Sequence, residues 1–157
     1  MSGRSFAIIG AGQTGLLAGH ALLQEGHDVT LYSDKTPDDF LNEAHPTGTA
    51  ARFDMSLEWE RELGLEHWGE SHAPQGEGVN LHFLPEKNNP LLMLSGRLQD
   101  YFLAIDVRLQ SARWMEEFDQ AGGEVRIDEV SIDQLDDIAA EHDLVLVAAG
   151  KGDIGDL

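Results

Sequence analysis

Gly10, Gly12 and Gly15 stand in the run Phe6-Ala7-Ile8-Ile9-Gly10-Ala11-Gly12-Gln13-Thr14-Gly15, a spacing suited to holding a pyrophosphate. Gly10 permits a sharp exit from a buried strand, Gly12 lets backbone approach a phosphate with no Cβ in the way, and Gly15 lets the following helix pack close to a sheet. The helix start, with Gln13 and Thr14, offers free N–H groups to the same anion. Glycines alone at this spacing are a weak sign. Their setting between a four-residue apolar strand and a helix over 16–25, stopped by Gly26 before a second strand at 28–32, makes the sign strong. The bland alternative is a strand–turn–helix with no ligand.

Further residues along the chain could serve the same ligand. A dinucleotide fold places an acidic residue at the end of its second strand to hold the adenosine ribose, and here that place falls on Ser33, with Asp34 and Lys35 after it. The departure leaves the cofactor open between FAD and NAD(P): Lys35 suits a 2′-phosphate, and Asp34 repels one. The segment around Thr47, Gly48, Thr49 and Ala50 has the small residues of a ligand-facing loop and equally of a plain connection. Arg108 falls in the first turn of a helix capped by Asp106, where a cation opposes the helix dipole and suits an anion instead. Ala149 and Gly150 open a second glycine-rich turn after a buried strand.

The elements that must position these residues follow from periodicity. The strand 144–147 is continuously apolar, as a parallel strand buried on both faces should be. A helix from Asp106 carries Val107, Ser111, Trp114, Phe118 and Ala121 at helical spacing, and Gly122-Gly123 end it. Ser131 with Gln134 has the form of a capping box, opening a helix that buries Leu135 and Ile138. Met55, Trp59 and Leu63 recur every four residues and are expected in a core. Alternation at 79–84, with Leu91-Leu92-Met93-Leu94 beyond a proline-bounded turn, reads as an antiparallel β-ribbon. The expected fold is α/β, a Rossmann-like parallel sheet of the FAD/NAD(P)-binding type with that ribbon inserted. Residues 1–45 and 100–157 form its core, and 46–99 the insertion with a short helix.

Composition narrows the chemistry. The 29 acidic and 10 basic residues give a formal net charge of −19, which repels nucleic acid and anionic membranes. No run reaches the roughly 18 apolar residues of a bilayer span. Cysteines are absent and the seven histidines lack metal-site spacing, so no metal is expected and a cytoplasmic address agrees. No nucleophile or triad stands out, and no catalytic residue is assigned.

Four segments together resemble the oxygenase component of two-component styrene or indole monooxygenases, within the wider para-hydroxybenzoate hydroxylase-like fold. They are the turn 10–15, the run Val29-Thr30-Leu31-Tyr32-Ser33-Asp34, the segment Ala104-Ile105-Asp106-Val107-Arg108-Leu109 with Gly122-Gly123, and the ending Ala149-Gly150-Lys151. The resemblance implies FAD bound in reduced form from a separate flavin reductase. It also implies epoxidation of a small aromatic alkene, styrene or indole, through a flavin C4a-hydroperoxide. Residue by residue it implies Gly10, Gly12 and Gly15 at the pyrophosphate, Ser33 and Asp34 at the adenosine, Arg108 at the phosphates or ribityl chain, and residues 47–50 near the flavin ring. Ala149 replaces the aspartate of single-component hydroxylases, in keeping with an oxygenase that takes no hydride from NADPH. Full oxygenases of this group are more than twice as long, so the chain is expected to lack their substrate and C-terminal parts. Two other readings stay open: a non-catalytic dinucleotide-binding or interaction domain, for which a tight homodimer would speak, and an NAD(P)-dependent oxidoreductase.

Overall fold

The structure is a computed structural model and describes residues 3–46, 49–69, 73–87, 89 and 91–150. Two compact units divide it, one formed by Met1–Gly48 with Asp106–Leu157 and the other by Thr49–Ile105.

In the first unit, strand β1 (Ser5–Ile9) leads through the glycine turn into α1 (Gln13–Gln24) and then β2 (Asp28–Ser33) and α2 (Pro37–Asn42). The chain returns at α4 (Val107–Gln120), β6 (Glu124–Ile127), α5 (Ile132–Glu141) and β7 (Leu144–Val147). These four strands form one parallel sheet in the order β6-β2-β1-β7. Successive residues of β1 point to opposite faces. Ala7 and Ile9 join Tyr32, Val130 and Ile138 in one cluster, with Leu135 and Val145 packed against it. Ile8 faces the other way, toward Gly15 and Gly19 of α1 and near Phe118 of α4. Helices therefore cover both faces, as the α/β class requires.

The expected helices stand with small shifts of their ends. Residue 13 opens α1, which stops at Gln24 where the sequence suggested residue 25. Asp106 caps α4, accepting from the Arg108 N–H, and α4 buries Ser111, Trp114 and Phe118. The capping box of Ser131 and Gln134 is formed. One expectation is corrected: β7 is not buried on both faces. It pairs with β1 alone among the described residues, and Leu144 and Val147 are each about half exposed. An all-apolar run marks a strand that can be buried twice, but burial itself needs a neighbour on each side.

The second unit holds β3 (Thr49–Arg52), α3 (Asp54–Glu62), β4 (Gln75–Phe83) and β5 (Leu92–Asp106), with the strands in the order β3-β5-β4. Strands β4 and β5 are antiparallel and longer than the sequence suggested, with a register shift between Gly76 and Gly78. Paired residues share a face, so Leu81 with Leu94 and Phe83 with Leu92 make one side apolar, while Asn80 with Ser95 and His82 with Met93 make the other more polar. The core of this unit is Leu57, Ala73, Leu103 and Ile105.

The Met55, Trp59, Leu63 stripe is the second correction. Met55 and Trp59 are 61% and 50% exposed, and α3 buries Leu57 and Glu60 instead. Arg52 decides which face turns inward. Its buried guanidinium is ion-paired with the buried Glu60 carboxylate and lies 5.9 Å from the Trp68 ring centre. Burial pulls the Arg52 pKa down, opposed by the negative charges of Glu60 and Glu66. A charge so buried must keep its partner.

Two outcomes are expected. Glu60→Gln should lower the unfolding free energy in urea by about 3 kcal/mol, because it removes the ion-pair partner of the buried Arg52 and leaves only the Glu66 charge to offset it. Asp143 lies before β7, and its Oδ2 accepts from the Ser5 N–H at 2.8 Å and the Ser5 hydroxyl at 3.3 Å, which hold its pKa below the ordinary carboxylate value. A depressed carboxylate stabilises the fold above its unfolded pKa and loses that effect as pH falls through the folded one. The difference in melting temperature between the unaltered chain and Asp143→Ala should thus be full at neutral pH and shrink as the pH falls below the ordinary carboxylate range and through the depressed folded-state pKa.

Candidate functional site

The parallel sheet changes direction at β1: β2 lies on one side and β7 on the other. Open α/β sheets bind ligands in the crevice at such a switch, outside the carboxyl ends of the strands. Here the turn after β1 meets the chain leaving β7. The Gly10 N–H donates to the Tyr32 carbonyl at 2.8 Å, and the Ala148 N–H to the Ile9 carbonyl at 2.8 Å.

The three glycines of this turn are glycine for different reasons. Gly10 has φ +112°, and a Cβ there would stand 2.6 Å from the Ala148 carbonyl oxygen and 3.0 Å from the Ala149 Cα. A Cβ on Gly15 would overlap the Gly10 carbonyl oxygen. The protein's own packing accounts for both. Gly12 has φ −79°, which any residue adopts, and a Cβ there would meet nothing within 4 Å. Its missing side chain leaves open space at the start of α1.

That start is uncapped. Gly12 is the N-cap, no side chain caps the helix, and its first turn holds no acidic residue in a chain of net charge −19. Gln13, Thr14 and Gly15 form that first turn, and the first bond closing the helix runs from the Leu16 N–H to the Gly12 carbonyl.

Ser33 ends β2 beside the turn, but its hydroxyl is engaged. It is 2% exposed, donates to the Lys35 carbonyl at 2.7 Å and accepts from the Lys35 N–H at 3.1 Å. Asp34, the more exposed of the two, is ion-paired with Lys35. Of the two acceptors expected for a ribose, Asp34 is the one presented to solvent.

Arg108 is held at both ends of its guanidinium. Nε and Nη2 donate to the two Asp106 carboxylate oxygens, the Nη2 contact at 2.7 Å, and Nη1 donates to the Ala44 carbonyl at 3.1 Å. These bonds hold the Asp106 pKa below the ordinary carboxylate value and raise that of Arg108. A structural reason for a cation at this helix start therefore exists, which periodicity alone does not reveal: the capping carboxylate neutralises it. Five bond positions on the guanidinium still leave N–H groups beyond these contacts.

Gln13 donates from Nε2 to Gln110 Oε1 at 2.5 Å, and Gln110 is fully buried in the first turn of α4. Sequence reading missed Gln110, whose signal is a polar residue on the buried face of α4 between Val107 and Ser111. Ala149 and Gly150 follow β7, with Gly150 at φ +79°. Thr49 and Ala50 open β3 in the second unit, and Thr47 and Gly48 lie outside the described residues. Thus the turn 10–15, Ser33, Asp34 and Ala149 gather at the carboxyl edge of the parallel sheet, and Arg108 joins α4 to the segment after α2. Among the described residues there is no cluster of metal-ligating side chains, and no helix is long and apolar enough to cross a membrane.

No protein-family model matches the chain. It is 29% identical over 153 residues, 97% of its length, to styrene monooxygenase StyA of Pseudomonas fluorescens, and equally to that of a Pseudomonas species. It spans 35% of the length of these curated relatives. Among solved structures it is similar to the flavin-dependent halogenase CmlS, with TM-score 0.62 and 20% identity over 80% of this chain and 22% of that one. The flavin-dependent brominase Bmp2 gives TM-score 0.59 and 19% identity, covering 80% and 29%. The flavin-dependent monooxygenase PieE, solved with FAD and substrate, gives 0.57 and 21%, covering 78% and 23%. These structures share the α/β fold. The similarity to styrene monooxygenase that the motifs suggest thus extends along nearly the whole chain.

Proposed function

We propose that the chain is the FAD-binding portion of a flavin-dependent monooxygenase of the styrene or indole type. The observation that supports this reading is Gly12: packing explains Gly10 and Gly15, whereas at the uncapped start of α1 a Cβ on Gly12 would meet nothing within 4 Å, which leaves room there for a pyrophosphate. The similarity to styrene monooxygenase chooses FAD over NAD(P). Both units contribute to one FAD-binding domain in this reading.

The residues fit the ADP half of FAD. The Gln13, Thr14 and Gly15 N–H groups point their dipoles at the pyrophosphate, where the helix start favours negative charge. Asp34 accepts from the adenosine ribose hydroxyls. Ser33 acts behind it by folding the Lys35 backbone, and Arg108 turns its remaining N–H groups to the phosphates or ribityl chain. Ala149 and Gly150, leaving β7, lie toward the flavin side in this reading. FAD, when bound, supplies the oxygen-activating redox chemistry. The chain's own task is to bind it, orient it and keep water from it. A separate flavin reductase supplies the reduced cofactor, and a small aromatic alkene is the oxygen acceptor. The protein works in the cytoplasm.

Two substitutions separate binding from packing. Gly12→Ala should leave the melting temperature unchanged or slightly raised, because its φ is ordinary and its unfolded chain is less free. The same change should weaken FAD binding, followed by flavin fluorescence, at least tenfold, about 1.4 kcal/mol. Gly15→Ala should instead lower the melting temperature, because its Cβ meets the Gly10 carbonyl. Equal FAD affinity in Gly12→Ala would overturn the site. Turnover of styrene and indole with reduced FAD, in this chain and in longer native forms, tests the reaction.

A further inference from the structure

The interface between α1 and α4 changes character along its length. Away from the turn it is tight and largely apolar: the Gly19 position lies against the Phe118 ring, and His20 stacks edge-on to Phe118 at 5.6 Å while bonding the Trp114 carbonyl at 2.9 Å. At the end nearest the turn it becomes polar, where Gln13 reaches the fully buried Gln110. A buried amide costs stability that an apolar side chain of the same size does not, and such departures from good packing gather where function needs direction.

We propose that Gln110 is a positioning residue for the dinucleotide turn, tying the first residue of α1 to the first turn of α4. This rests on the FAD reading above. The hydrogen bond is directional, so it fixes the rotation and advance of the α1 start as apolar contact does not. Arg108 stands two residues before Gln110 and is anchored to Ala44 on another side of the same turn. Gln110 therefore sets the spacing between the N–H groups of α1 and the Arg108 cation, so that both meet one pyrophosphate. A neutral amide does this without adding a carboxylate beside the anion.

The test is a double-substitution cycle on FAD affinity in the full chain, with folding followed by circular dichroism. Gln110→Leu and Gln13→Ala should each weaken FAD about tenfold, and the double variant should be no weaker than either single one. Gln110→Glu keeps the acceptor for Gln13 but introduces a buried charge. Its FAD affinity should approach that of the unaltered chain near about pH 5.5 and fall as pH rises to about pH 8, while the unaltered chain varies little. A purely structural role would give no such pH profile. Unchanged affinity in folded Gln110→Leu, losses that multiply in the double variant, or a flat profile for Gln110→Glu would overturn the proposal. Failure of the unaltered folded chain to bind FAD would overturn the FAD reading and this one with it. Binding that is indifferent to Gln110 would overturn this one alone.

Discussion

Helix α1 lies against the parallel sheet only because two of its positions carry no side chain. At Gly15 even a methyl group would overlap the Gly10 carbonyl, and at Gly19 it would stand 2.9 Å from the Phe118 ring and 3.4 Å from Ile8. That closeness has consequences in both directions along the chain. Toward the core it lets Ile8, Leu16, Trp114 and Phe118 be fully buried between the sheet and two helices. Toward the sheet edge it holds the start of α1 over the carboxyl end of β1, where the strand order reverses.

The first unit repeats one device at its carboxyl edge. Gly12 begins α1 with no side-chain cap, while Asp106 begins α4 as a cap that also binds Arg108. One helix start is left without a side-chain cap, and the other is closed by the protein's own carboxylate. The difference lies in a single side chain at each N-cap. In the strongly acidic chain this contrast matters, because an anion can be held only where the backbone dipole is unopposed and the acids are kept away.

Gly10, Gly12 and Gly15 are legible as a strand–turn–helix because their spacing follows from backbone geometry that any chain must obey. The α4 start, the capping box at Ser131 and the ribbon are legible for the same local reason. The exposed Met55 and Trp59 were not, because helical spacing says that a face is apolar and leaves open whether it is the buried one. Arg52, on β3, made that choice through its ion pair with Glu60 of α3. The engagement of the Ser33 hydroxyl by Lys35 was legible neither, since it depends on how the turn after β2 closes.

The sequence by itself determined most of the elements, though not α2 or β3, together with the glycine turn and the likeness to flavin monooxygenases, because propensity, capping and periodicity act over a few residues. Only the tertiary structure separated Gly12 from its two neighbouring glycines, since that distinction depends on what each Cβ would meet. Only it joined Gln13 to Gln110 across 97 positions and gave Arg108, beyond its neighbour Asp106, a further partner across 64, in Ala44. Such contacts arise from packing between elements remote in sequence, and no local pattern encodes them.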